Sequence, residues 1–285
     1  MKKTLLLCLT ACLGVFAIST ASAEGTLEKI KRTGEFVVGY RTDASPLSYE
    51  NADGEPAGYS VDLCRRIAAA VKAEVGGDVE TKFVPVASED RMDAVMDGDI
   101  DIECGSTTVT LTRLEQVDFT LPTFVTGGSI LSLSESNIRS MSDLAGKKVG
   151  VVEGTTTVDQ LKTYLNDLLI DAEIVVVKDR HDGMEKLNGR TIDAFASDQI
   201  VLIGQVIEAL YPKKYSLSND IFSFEPYALI VRRNDADFRL VANRALSQLY
   251  RSGQHIELFN KWIGRIGIRP SPILGAMFQL STLPE

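Results

Sequence analysis

Hydrophobic and polar positions along the 285 residues follow two alternating rhythms, and the switches between them outline the expected elements. FVVGY (36–40) is a short continuous apolar run and reads as a buried strand. Behind Ser60, a residue type that caps helix N-termini, Val61, Cys64, Ala68, Val71 and Val75 recur at helical spacing, with Asp62 in the first turn. VETKFV (79–84) is the next strand. Ser88-Glu89-Asp90 then opens a helix buried through Met92, Val95 and Met96 and ended by Gly98, and IDIEC (100–104) is a third strand. The order is βαβαβ.

The same order restarts after Gly127-Gly128. KKVGVV (147–152) is a strand, and GTTTVDQLKTYL (154–165) a helix with Val158, Leu161 and Leu165 inward. EIVVV (173–177) and TIDAFA (191–196) are strands around a short helix at 182–188, and Gln199 to Leu210 is an amphipathic helix. Strands and helices alternating at this spacing imply a parallel sheet covered on both faces. Beyond them, EPYALIVRR (225–233) is a strand, and 237–252 and 254–263 are helices too few to stand alone. The expectation is an α/β chain of two lobes, each a mostly parallel sheet flanked by helices. Residues 24–126 and 227–285 form a discontinuous first lobe and 127–226 the second. The chain then crosses twice between lobes, near Phe124–Ser129 and Glu225–Tyr227, and two crossings make a hinge.

The N-terminus changes the setting. Lys2 and Lys3 precede an apolar run from Leu5 to Ile18, followed by Ala21-Ser22-Ala23, which is the layout of an export signal cleaved after residue 23. Leu9-Thr10-Ala11-Cys12 also spells a lipobox, but Cys12 follows the lysines closely and the LGVFAIS after it is still apolar. The formal charge of −9 becomes −11 once a leader with two lysines and no acids is removed. So acidic a chain argues against nucleic acid as a partner. Cys64 and Cys104 remain, and in an oxidising compartment two thiols suggest one disulfide, with two buried, inert cysteines as the alternative that spacing alone leaves equally open. No CxxC or His/Cys cluster points to a metal, and His181 and His255 are the two histidines, so neither metal nor cofactor is expected.

Ligands of open α/β sheets bind beyond the carboxyl ends of the strands. Arg41, Ser88 and Arg91, then Ser106 to Thr108 with Arg113, stand there in the first lobe. The second lobe adds Gly154-Thr155-Thr156, Arg180-His181-Asp182 and Ser197-Asp198. Each has a plain alternative: Ser88, Thr155 and Asp198 as helix caps, the arginines as solvated charge, His181 as an exposed loop residue. Their convergence on one crevice favours an anion site with one carboxylate opposite.

The stretches GTLEKIKRTGEFVVGYR (25–41), GYSVDLCRRI (58–67), SEDR (88–91), ECGSTT (103–108) with Arg113, EGTTT (153–157) and ELFNKWIG (257–264) carry a family resemblance over nearly all of residues 24–264. The chain resembles the periplasmic solute-binding proteins of polar amino-acid ABC importers, family 3, which have the two-lobed type II periplasmic-binding-protein or Venus flytrap fold. It is more similar still to their glutamate/aspartate-binding members. The resemblance implies a periplasmic monomer that takes L-glutamate or L-aspartate to a membrane permease and its ATPase. By the same resemblance, Arg113, Thr108 and Thr155 match the clamp on the ligand's α-carboxylate, and Ser106 completes that end. Asp198 matches the partner of the α-ammonium, and Arg41, Ser88 and Arg91 the holders of the side-chain carboxylate. The family's Lys-Asp-His is here Lys178-Asp179-Arg180-His181, which leaves open whether Arg180 or His181 completes the far end. Charge counting fits an acidic ligand, because Arg41 and Arg91 have no other evident partner.

An enzyme is the competing expectation, since dehydratases acting on prephenate-like dicarboxylates share the fold. Catalysis needs an acid or base apart from the ligand's charges, and Asp198 would be occupied by the ammonium, with Glu153 a weak second. No Ser-His-Asp or Cys-His grouping and no phosphate loop is present, and the expectation is a binding protein without enzymatic activity.

Overall fold

The computed structural model describes residues 24–284; the expected leader and its alternative anchor at Cys12 lie outside them. Two five-stranded sheets form the core. The first runs Glu80–Pro85, Glu35–Tyr40, Ile102–Glu103, Ile230–Arg232, Val117–Phe119 in spatial order. The second runs Glu173–Val177, Lys148–Val152, Ala194–Asp198, Gly128–Leu133, Tyr215–Leu217. In each, three parallel strands are followed by an antiparallel one, Ile230–Arg232 in the first sheet and Gly128–Leu133 in the second. The sheets are mostly parallel, as the alternation of strands and helices implied.

Both faces of each sheet are covered, which is why the strands read as unbroken apolar runs. Val149, Val151, Ala194 and Ala196 enter one cluster of the second lobe, while Val152, Val177 and Phe195 enter the other. In the first lobe Phe36, Val38 and Ile102 face the helices Tyr59–Val75 and Ala236–Arg251, and Ile230, Val117 and Phe119 face the opposite side. Cys64 and Cys104 are fully buried in the first cluster and bonded to each other, with Cα atoms 6.3 Å apart.

EPYALIVRR divides where one strand was expected. Glu225–Tyr227 pairs antiparallel with Phe124–Thr126, and Ile230–Arg232 joins the first sheet. The two-stranded ribbon is the pair of crossings between lobes. Several caps also differ from expectation. The helix Tyr59–Val75 starts before Ser60, because Gly58 at φ 125° lets the chain pass Leu47, whose carbonyl oxygen would lie 2.3 Å from any added Cβ. The helix Arg91–Met96 starts after Ser88, which therefore does not cap it, and Met96 is exposed rather than buried. Asp179 accepts the backbone N–H of Asp182 at 2.8 Å and draws the next helix back to Arg180–Asn188. The strand before Asp198 is shifted to Ala194–Asp198. Past Ile263, Ser271 and Pro272 start a helix, Pro272–Leu280, that buries Leu274, Met277 and Phe278 in the first lobe's core. Among the described residues, no helix is long and apolar enough to cross a membrane.

Candidate functional site

The crevice lies where the carboxyl ends of the two sheets face each other across the ribbon. From the first lobe, Arg113 sits on the short helix Leu111–Leu114, whose cap Thr110 accepts the Arg113 backbone N–H at 3.1 Å. The Arg113 guanidinium donates to the Thr108 carbonyl at 2.8 Å and to the Gly154 carbonyl of the second lobe at 3.3 Å. Arg91 donates to the same Gly154 oxygen at 3.0 Å. Two cations thus converge on one backbone carbonyl across the crevice.

Gly154 makes that approach possible. Its φ is 69°, and an added Cβ would lie 2.7 Å from the Cα of Glu89 in the first lobe. A side chain here would be strained and would hold the lobes apart.

Arg91 is 2% exposed and has no carboxylate within ion-pair distance among the described residues. Burial, and then repulsion from Arg113, lowers its pKa to about 9, with Glu103 offsetting part of the loss. It remains charged at neutral pH and poorly compensated. Asp198 faces the corresponding problem with the opposite sign. It occupies the cap position of the helix Gln199–Glu208 but makes no cap hydrogen bond, so the plain-cap alternative does not account for it. Burial, with Glu225 adding repulsion, pushes its carboxyl up to about 6, while the nearby Tyr227 hydroxyl pulls part of the way back.

Buried polar atoms without a partner gather here. They include Arg91 Nε, Ser88 Oγ, Ser106 Oγ, Asp198 Oδ1, Arg41 Nε and Arg180 Nε. Buried polar groups in folded proteins are almost always hydrogen-bonded, so such a concentration leaves donors and acceptors that a polar ligand could satisfy. All six residues were among the expected site residues.

Arg180 and His181 separate cleanly. With the helix starting at Arg180, its side chain turns into the crevice and is 1% exposed, whereas His181 is exposed beside Met184, Asn188 and Gln205. Thr155 also departs from expectation. Its hydroxyl donates to the Val152 carbonyl at 2.7 Å, and the neighbouring Thr156 is the residue that reaches Glu225 at 2.9 Å. Glu153 is exposed.

Three buried carboxylates were missed. Glu225 accepts from Thr108 at 2.5 Å, from Thr156 and from Ser223 at 2.6 Å, tying both lobes to the ribbon. Glu103 accepts from Thr107 at 2.8 Å, and Gly105 leaves room for it, since a Cβ there would lie 1.9 Å from Glu103 Oε1. Asp43 bonds Arg41 Nη2 at 2.8 Å and Arg180 Nη1 at 3.2 Å through one oxygen. The expectation that Arg41 lacks an internal partner is therefore corrected. Asp43 stands two residues beyond Arg41, a spacing that was readable but ambiguous between loop and site.

With this geometry described, the comparisons with known proteins decide the family. Residues 36–265 match the model of bacterial extracellular solute-binding proteins, family 3. This chain belongs to that family. The L-glutamate/L-aspartate-binding protein of Pseudomonas aeruginosa is 36% identical over 240 residues, covering 84% of this chain and 80% of the relative. The glutamate/aspartate import solute-binding protein of Escherichia coli is 30% identical, covering 90% and 86%. Among solved structures, a mutant of ArgBP from T. maritima superposes with a TM-score of 0.74 at 26% identity, covering 84% of this chain and 99% of that one. An ancestral amino acid-binding protein described as a precursor of cyclohexadienyl dehydratase superposes with a TM-score of 0.70 at 26% identity, covering 83% and 99%. The two-lobed fold of this family is the fold observed.

Proposed function

We propose that this solute-binding protein captures an acidic L-amino acid, glutamate or aspartate, between its lobes and delivers it to the permease and ATPase of an ABC importer. One observation carries the acidic reading: Arg91 is a buried guanidinium with no carboxylate of its own, set beside Arg113 and the unpartnered Ser88 hydroxyl. In this reading Arg113, Ser106 and Thr108 receive the α-carboxylate, Asp198 the ammonium, and Arg91 with Ser88 the side-chain carboxylate. Arg41 and Arg180 stand behind Arg91 and contribute charge. The likeness to glutamate/aspartate-binding relatives supports the same ligand.

Residues 24–126 and 227–285 act as one body and 127–226 as the other, rotating about the ribbon. Closure follows from chemistry, because neither lobe alone answers both α-groups. The protein works as a periplasmic monomer, exported by residues 1–23. It is no enzyme in this reading, since Asp198 is committed to the ammonium and is not free to act as an acid or base.

Calorimetry with glutamate, aspartate, glutamine, arginine and prephenate tests the proposal. Glutamate or aspartate should bind most tightly, and at about a thousand times its dissociation constant should stabilise the fold by roughly 4 kcal/mol. Turnover of prephenate with no response to amino acids would overturn it.

A further inference from the structure

The far end of the crevice contains a charge arrangement that the acidic-ligand reading does not require. Asp43 is 2% exposed and lies on the first lobe, yet it is held from both. One carboxylate oxygen accepts from Arg41, and from Arg180 of the second lobe; the other accepts the Arg180 backbone N–H at 3.0 Å. The Asp43 carbonyl takes Gln205 Nε2 of the second lobe at 2.9 Å. Burial alone would raise the carboxyl, but the Arg180 and Arg41 guanidiniums more than offset this and hold it well below the usual carboxylate range.

The arrangement reaches the ligand site electrostatically. Arg41 and Arg180 both add to the repulsion felt by Arg91, and Arg180 also acts on Asp198. Asp43 therefore subtracts one charge from a group of three guanidiniums. Without it the far end would carry three positive charges; with it the balance is two.

Resting on the acidic reading, we infer that Asp43 is a specificity-determining residue: it neutralises part of the Arg41–Arg91–Arg180 cluster and thereby sets how strongly the pocket favours a second carboxylate over a neutral amide. It acts through the arginines and need not touch the ligand. A residue that merely latched the lobes would weaken every amino acid by the same factor when removed. A residue that sets charge balance changes the ratio between glutamate and its isosteric amide, glutamine.

The test is calorimetric titration of the mature exported protein and of the Asp43→Asn, Arg180→Gln and doubly substituted variants with L-glutamate and L-glutamine. The glutamate-to-glutamine affinity ratio should rise by about tenfold in Asp43→Asn and fall by about tenfold in Arg180→Gln, with the double variant between. Opposite signs are the signature. Ratios that stay at the wild-type value, or that move the same way in both single variants, would overturn the inference. If Asp43→Asn does not fold, Arg180→Lys decides: keeping the charge should hold the ratio near wild type, and a fall matching Arg180→Gln would overturn it. A wild-type protein indifferent between glutamate and glutamine would instead defeat the acidic reading itself.

Discussion

At one end of the crevice, Arg113 and Asp198 face each other from opposite lobes, and neither has an ion-pair partner among the described residues. At the other end, Arg41 and Arg180 share Asp43, and Arg91 beside them has no carboxylate. Arg113 is held by the Thr108 and Gly154 carbonyls, and in the proposed reading this end leaves its charges for a zwitterion. The second is partly neutralised from within. A buried charge is tolerated only if something compensates it, and the two ends differ in who supplies the compensation. On the proposed reading, the α-groups shared by all amino acids call for a fixed site, while the end that would face the variable side chain could be retuned by changing an internal partner.

Removing a charge from the fixed end should have the largest effect. Arg113→Ala should weaken every amino acid alike by about 3–5 kcal/mol, or roughly two to four decades, because it leaves one partner of a buried pair uncompensated. Calorimetry with glutamate and glutamine checks it, and the ratio of the two affinities should stay at its wild-type value. Loss of glutamate binding alone would mean the ends are assigned the wrong way round.

Gly154 joins the two ends, since its carbonyl accepts from both Arg91 and Arg113. Gly154→Ala should lower affinity for all ligands about ten- to a hundredfold, given roughly 1–3 kcal/mol for a strained positive-φ residue and the contact with Glu89. Scattering at saturating glutamate should show a more open molecule than wild type. Identical curves would remove Gly154 from the closure mechanism.

Arg91→Gln probes the tunable end. It should reduce glutamate and aspartate binding while leaving glutamine little changed, lowering the glutamate-to-glutamine ratio about tenfold. A ratio that does not move while binding persists would relegate Arg91 to a packing role.

These differences also explain what was legible in the sequence. The sheets were readable because strands covered on both faces are almost uniformly apolar, as in KKVGVV, expected at 147–152 and observed at Lys148–Val152 with its four last residues buried. The crevice residues were readable because fold topology puts strand ends there, and small hydroxyl residues with arginines at those ends imply an anion. The internal partners were not. Asp43 and Glu103 each have one partner close by in the chain, Arg41 and Thr107, but local spacing does not say that Arg180 will meet Asp43 or that Thr108 and Thr156 will meet Glu225. Caps were hard for a related reason. Ser60 and Ser88 have the right residue type, but Gly58 and the turn at 88–90 decide where each helix begins. Arg180 and His181 are adjacent and of like charge type, so one residue of helix start, determined by the Asp179 cap, decides which enters the crevice.

Acid should separate the two ends by the smallest but most selective effect. Asp198 titrates near 6 in the protein, above its ordinary 3.8, whereas Asp43 is held well below the carboxylate range. Lowering the pH from 7 to 5 therefore protonates Asp198 and leaves Asp43 ionised. A protonated Asp198 cannot answer an ammonium, so affinity should fall by about tenfold per pH unit below 6 for every amino acid. The glutamate side chain, with an ordinary pKa of about 4.3, stays mostly ionised down to pH 5, so the glutamate-to-glutamine ratio should barely change. Stability of the ligand-free protein runs the other way. A carboxyl whose folded pKa lies above its unfolded value binds protons more tightly when folded. Its contribution opposes folding at neutral pH by about 3 kcal/mol and is relieved as pH falls through 6 toward 4. Titrations at pH 7, 6 and 5 with both ligands check the prediction. A ratio that collapses while the glutamine affinity holds would place the acid-sensitive group at the far end, and the contrast between the two ends would be reversed.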